Sequence, residues 1–200
     1  MHMLQIICVL LNLSIVLLNT KEKALVWSVT LVSTVLGFSA YYQKGLYAKC
    51  VLYGIYWIVD GYGWYQWLHG SKGKTPLRVS TTSLRTMRVL SLAGVVCTLC
   101  LWRIFAKCTH AHLVFIDSVH TALGLIAQWM TARKKLESWI VWAIADIMYV
   151  FVCYQRQLYW FSGIHVVYLV LAVRGYRTWR QSYWRQKTMV SVNSEDDIPG

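Results

Sequence analysis

Seven apolar stretches, at about 3–18, 24–42, 47–68, 88–106, 112–131, 138–154 and 158–178, set the limits of what this chain can fold into. Apolar runs of about 17–25 residues are long enough to cross the hydrocarbon core of a bilayer as helices. Little sequence is left over for a soluble domain. Composition agrees: 57% of the 200 residues are hydrophobic and 14% are charged, where a soluble domain carries about 25% charged residues. Eleven Trp and thirteen Tyr suit the two membrane interfaces, where amphipathic rings settle. The first stretch lacks a basic leader and a small-residue cleavage site, so it reads as a helix and not as a signal peptide. The expectation is an all-α, polytopic membrane protein.

A formal net charge of +12 raises the question of nucleic acid, and its placement answers it. Seven spans put fifteen of the Lys and Arg on one side, in turns around Lys21 and Lys23, Lys72 to Arg88, Arg133 to Lys135, and Arg174 to Lys187. Five fall on the other side: Lys44, Lys49, Arg103, Lys107 and Arg156. Short cytoplasmic loops collect basic residues. The N-terminus is therefore expected outside and the C-terminus in the cytoplasm. The charge is topological, its partner is the lipid bilayer, and no nucleic acid is expected.

Internal repetition comes next. At an offset of 112 residues, without a gap, Trp27 falls on Trp139, Tyr42-Gln43 on Tyr154-Gln155, and Leu46-Tyr47 on Leu158-Tyr159. Tyr56 meets Tyr168, Gly63 meets Gly175, and Trp67 meets Trp179. Helices 1–3 thus match helices 5–7 in the same orientation, with helix 4 between them. Parallel repeats of this kind occur in transporters that hold substrate near the midplane. The units expected are a first three-helix repeat at 1–68, a loop and linker helix at 69–111, a second repeat at 112–180, and a cytoplasmic tail at 181–200.

Polar residues inside the spans mark the candidate site. Tyr53, Trp57, Asp60, Trp64 and Trp67 share one stripe of helix 3 at 100° per residue. Helix 6 aligns Trp139, Trp142, Asp146, Tyr149 and Cys153; helix 5 aligns Asp117, His120, Thr121, Gly124, Gln128 and Thr131. Helix 1 carries a fainter version in Gln5, Cys8, Asn12 and Asn19. Ionisable groups at membrane depth face a bundle interior or an aqueous cavity. Carboxylates beside aromatic faces suit a flat cationic ligand through charge attraction and cation–π contact. Asp60, Trp64, Trp67, Asp117, Thr121, Gln128, Trp142, Asp146, Tyr149 and Tyr168 are the expected substrate-binding residues. Plainer roles stand beside that one. Trp67 and Trp179 suit an interfacial belt or packing, Asp117 suits simple solvation, and Gln128 suits helix-to-helix hydrogen bonding. Asp146 lies deepest, and Arg174 or the ligand itself is the partner expected for its charge.

Other chemistry is weak. Cys97 and Cys100 lie within an apolar helix and read as small buried hydrophobes. Cys108, His110 and His112 cluster on a loop but lack a full metal-ligand pattern. "GSKGKT" (70–75) echoes a phosphate loop, yet Leu68 stands where a Gly is needed and a helix precedes it instead of a strand. Asp117 and His120 have no activated Ser or Cys beside them. No catalytic residue, metal or cofactor is expected, and a homo-oligomer stays open.

"GYGWYQW" (61–67) and "LIAQWMTARKKLESWIVW" (125–142) resemble the PnuC-type vitamin transporters, whose hallmark is a W-x-x-W within a Gly-Trp-Tyr-x-Trp phrase. The similarity covers about 24–180 and stops before "NSEDDIPG". It implies a 3+1+3 helix fold related to the SWEET sugar carriers. It also implies uptake of nicotinamide riboside by facilitated diffusion across a bacterial inner membrane, with trapping by a separate cytoplasmic kinase on the way to NAD. This chain departs from the pattern at Asp60 and Asp146, where many nicotinamide riboside carriers have Asn, and at Tyr53, where they have Gln. The added negative charge argues against uncharged riboflavin and leaves thiamine, also flat and cationic, as the alternative.

Overall fold

Helix formation in this chain follows from its solvent. A bilayer offers backbone groups no hydrogen bonds, so each apolar run must satisfy them internally. The computed structural model describes residues 2–43, 45, 47–71, 76–108 and 114–196, with side chains for 9–43, 45, 50–71, 76–107 and 114–189. Seven helices fill them: α1 (His2–Thr20), α2 (Leu25–Gln43), α3 (Tyr47–His69), α4 (Leu84–Cys108), α5 (Val114–Ala132), α6 (Ser138–Gln155) and α7 (Tyr159–Asp196). Among the described residues there is no strand, only a single parallel bridge between Ser80 and Lys135. The phosphate-loop echo at 72–75, Lys44, the loop histidines His110 and His112, and the side chains of Gln5, Cys8, Lys49 and Cys108 lie outside the described residues.

Five of the seven helices begin and end within two residues of the expected apolar runs. α4 starts four residues early, because Ser83 caps it: its Oγ accepts a hydrogen bond from the Thr86 amide at 3.2 Å, satisfying a donor the helix leaves free. The segment from 179, expected as a tail from 181, continues α7 as helix to Asp196. It contains no Gly or Pro and is rich in Arg, Gln and Lys, which lose little freedom in a helix.

α1 packs on α2 and α7, α2 on α3, α3 on α5, α5 on α4 and α6, and α6 on α7. Among the described residues α4 touches α5 alone. Large apolar side chains such as Val32, Leu92, Val95, Ile147 and Val170 are exposed around the circumference. That surface would be costly in water and suits lipid. By length and apolar content alone, α2, α4 and α6 suffice to cross a membrane; α3 and α5 interrupt their apolar surface with the polar stripes that build the site.

The bundle has a basic end and an opposite end. At the basic end, the loop before α4 is fastened to the α5–α6 turn. The Ser80 amide donates to Lys134 O at 3.1 Å, and the Leu136 amide donates to Ser80 O at 2.9 Å. Glu137 Oε2 accepts from the Thr82 amide and hydroxyl at 2.9 and 2.6 Å. Burial in this turn lowers the Lys135 ammonium below its ordinary pKa, with Arg133 adding to the effect and Glu137 opposing it. The tight turns need left-handed backbone: Glu22 (φ 54°) and Lys134 (φ 46°) at the basic end, Gly45 (φ 69°) and Gln157 (φ 59°) at the opposite end. Gly45 takes this conformation freely; the other three pay for it with roughly 1 kcal/mol or more of strain.

Candidate functional site

Polar side chains from α2, α3, α5, α6 and α7 meet in a layer between the two ends. Asp60 is fully buried on α3. Its Oδ1 accepts from Gln128 Nε2 on α5 at 2.6 Å, and its Oδ2 lies 2.9 Å from Thr34 Oγ1 on α2. Thr34 Oγ1 also lies 2.8 Å from Thr30 O. A hydroxyl has one hydrogen, so it donates in only one of these contacts. No Lys or Arg pairs with Asp60 among the described residues. Gly124 lets α5 come close here, since a Cβ in its place would stand 3.1 Å from the Tyr56 hydroxyl.

Asp146, on α6, has another kind of neighbour. Its side chain is nearly buried, and its Oδ1 lies 2.8 Å from Nδ1 of His165 on α7. Rings surround that pair. Tyr149 meets His165 at 4.8 Å between centroids, Tyr168 meets it edge-on at 5.6 Å, and His120 stacks on Tyr149 at 4.1 Å and 29°. His165, which the reading of motifs passed over, supplies the partner for Asp146 instead of Arg174. An ionisable residue in mid-span was the available signal for it.

Nearer the end away from the basic turns, Asp117 accepts from Arg156 Nη2 at 2.8 Å; both side chains are about one-third exposed, at 28% and 35%. Thr121 turns back on its own helix and donates to Asp117 O at 2.8 Å. Toward the basic end, Trp142 Nε1 donates to Thr131 Oγ1 at 3.2 Å. The expected stripe of α3 divides here. Asp60 and Trp67, seven residues apart, point inward, whereas Trp57 and Trp64 lie on the flank of that stripe and are half-exposed. The structure therefore brings together Asp60 with Gln128, Asp146 with Tyr149 and Tyr168, and Trp67 with Trp142 around Thr131. It does not bring Trp64 to them.

The basic end is sealed by four buried tryptophans. Trp27 and Trp67 meet at 5.6 Å, Trp67 and Trp179 at 5.9 Å, and Trp179 and Trp139 at 5.5 Å. Trp67 Nε1 donates to Thr131 O at 3.0 Å and Trp179 Nε1 donates to Asn19 O at 2.9 Å. Lys134 lies 4.6 Å from the Trp67 ring centre and 3.2 Å from Glu22 Oε2. Trp67 and Trp179 thus lie in packing contacts, in keeping with one of the roles weighed for them.

A separate crevice of about 360 Å³ between α4 and α5 is walled by Leu90, Gly94, Phe115, Ala122 and Ile126 among others. Its lining is mostly apolar, with the hydroxyls of Ser91 and Thr98 among it. Among the described residues no cluster of His, Cys, Asp and Glu could hold a metal.

Carboxylates, hydroxyls and aromatic faces set together in one layer suit a polar or charged aromatic molecule. The comparisons with known proteins give the family. Residues 2–181 match the family described as nicotinamide mononucleotide transporter. The riboflavin/roseoflavin transporter RibM of Streptomyces davaonensis is 26% identical over 85% of this chain and 81% of its own length. The nicotinamide riboside transporter PnuC of Escherichia coli is 24% identical over 71% of this chain and 70% of its own. The crystal structure of the vitamin B3 transporter PnuC superposes with a TM-score of 0.67, at 21% identity, over 89% of this chain and 80% of that one, a likeness of fold. These are transporters and not enzymes, and the match extends over most of the chain: it is a multi-pass membrane protein and belongs to the nicotinamide mononucleotide transporter family.

Proposed function

We propose that the chain carries nicotinamide riboside inward across the inner membrane of a bacterium by facilitated diffusion, with cytoplasmic phosphorylation trapping the vitamin. The observation that carries this reading is Asp146, a nearly buried carboxylate beside His165, whose ring meets Tyr149 and Tyr168, with His120 stacked on Tyr149. A carboxylate among aromatic faces favours a flat cation, by charge and by the ring quadrupoles. Tyr149, Tyr168 and Trp142 serve as ring contacts, Gln128 and Thr121 as hydrogen-bonding groups, and Asp117 as an acidic rim. Thiamine, which shares the flat cationic character, is the second reading. Riboflavin, the cargo named for one relative, is uncharged and brings no positive charge to the Asp146 carboxylate.

The architecture proposed for this carrier is a 3+1+3 bundle of two parallel repeats about an axis between Trp67 and Trp179. Contacts that recur 112 residues apart support it. Trp27 lies against Gly63 as Trp139 lies against Gly175. The Trp67-to-Thr131 bond answers the Trp179-to-Asn19 bond. At the opposite end, Cys50 donates to Phe38 O at 3.8 Å as Ser162 donates to Val150 O at 3.1 Å. Glu22 and Lys134, which pair across the basic end, are themselves 112 apart. The basic end faces the cytoplasm in this reading.

Proteoliposomes containing the purified protein are expected to show saturable nicotinamide riboside uptake and counterflow without ATP. Calorimetry should rank nicotinamide riboside above thiamine and both above riboflavin. Tight riboflavin binding with no response to either cation would overturn the reading. So would accumulation above the external concentration in liposomes without a kinase, since a facilitator only equilibrates. A periplasm-dependent reporter should be silent after Lys187 and active near Lys107; the reverse pattern would overturn the orientation.

A further inference from the structure

The nest that suits a cationic ring already holds a side chain able to become one. His165 Nδ1 sits 2.8 Å from Asp146 Oδ1, inside the ring contacts of Tyr149 and Tyr168. An imidazolium and a cationic heterocycle are alike in being flat, singly charged and attracted to the same carboxylate and ring faces. We propose that His165 is a specificity-determining residue, a tethered cation that holds Asp146 until a cationic substrate displaces it with release of a proton. This inference rests on the cationic-substrate reading above and adds to it the exchange of one charge for another.

The exchange balances. When the substrate cation takes the place beside Asp146, the imidazolium is left without its counter-charge at membrane depth, where an unpaired ion is costly. Its N–H bond breaks heterolytically, the nitrogen keeps the electron pair, and the proton passes to water. Net charge in the layer is the same before and after. An uncharged ligand has no charge to exchange and gains nothing from expelling the proton.

Other ionisable groups facing His165 do not supply a second cation at the same place. From α6 come Asp146 itself and Tyr149; from α5 comes His120, 6.4 Å away between ring centres and stacked on Tyr149; from α7 comes Tyr168. Residues 9–20 of α1, which also packs on α7, carry no ionisable side chain. Asp117 and Arg156, further out, are paired with each other.

The sign of the pH effect follows. While the imidazole is protonated, the cation must displace a proton, so affinity falls by up to about tenfold for each unit of acidification. Where it is neutral, no proton is released and affinity is at its plateau. Calorimetry of the full-length protein with nicotinamide riboside between pH 5.5 and 8.0 reads this directly. Wild type should lose affinity on acidification, and at pH 5.5 its heat should vary with the ionisation enthalpy of the buffer, reporting about one proton released. His165→Gln keeps a hydrogen bond to Asp146 without the charge. It should bind with little pH dependence and, at the acid end of that range, several-fold more tightly than wild type. Affinity in wild type that is flat with pH, or heats independent of buffer, overturns the inference whether or not the variant folds. An equally steep profile in a folded His165→Gln overturns it too, placing the proton elsewhere. No binding of nicotinamide riboside at any pH overturns the substrate reading, and this inference with it.

Discussion

The two ends of the bundle and the layer between them follow different rules. At the ends, contacts recur at a spacing of 112. The same indole-on-glycine seat appears twice, as do the same indole-to-carbonyl bond and the same left-handed turn. In the layer, equivalent positions carry unlike chemistry. Asp60 stands where the other half has Ala172, Asp146 where it has Thr34, His165 where it has Tyr53, and Gln128 where it has Val16. Packing depends on shape, and a large ring seated on a glycine works equally well in both halves. The layer is where positions 112 apart diverge, as the proposed recognition of an asymmetric molecule would require. The two carboxylates make the same point at closer range. Asp60 faces an amide and a hydroxyl, while Asp146 faces an ionisable ring.

The largest effect expected from breaking this comparison is at the basic end. Trp179→Ala and Trp67→Ala each remove a buried indole, its hydrogen bond and two ring contacts. Each should cost about 3–5 kcal/mol of stability, and the two losses should match within error in thermal unfolding of detergent-solubilised protein. A large loss for one and a negligible loss for the other would show that the ends are equivalent in contact but not in energy.

A smaller effect separates the carboxylates. Asp146→Asn keeps size and hydrogen bonding but removes charge. Losing a charge-assisted contact worth about 1.5–3 kcal/mol weakens nicotinamide riboside binding roughly ten- to a hundredfold. Asp60→Asn, whose amide can still accept from Gln128 and donate to Thr34, should change binding by less than about 1 kcal/mol. Equal losses in calorimetry on monodisperse protein would mean that both carboxylates meet the ligand and that Asp60 leaves its present partners to do so.

The smallest effect concerns the rim. Arg156→Gln breaks a pair with Asp117 that is about one-third exposed and worth about 0.2–1 kcal/mol. Raising salt should erase the difference between variant and wild type in the same unfolding assay. A difference that persists at high salt would give the rim pair a structural weight like that of the buried ends.

Much of the architecture was legible in the chain itself. Seven apolar runs marked seven helices, because backbone in lipid has few alternatives, but charge did not mark their ends, since α7 runs on as helix through Arg174 to Lys187. The polar faces of α5 and α6 were legible from the 3.6-residue period, as was the 112-residue spacing that later reappears in contacts. Period alone could not resolve α3. Asp60 and Trp67 differ from Trp57 and Trp64 by only a fraction of a turn, and which edge of that stripe meets α2 and α5 depends on how the helices lean together. Tertiary structure also chose the partners. His165 reaches Asp146 from 19 residues away, Thr34 reaches Asp60 from 26, and Gln128 reaches it from 68. Local sequence sets a side chain's direction from its own axis. Whether that direction ends in lipid, an amide or an imidazole is set by the neighbouring helix, and only packing brings that neighbour into place.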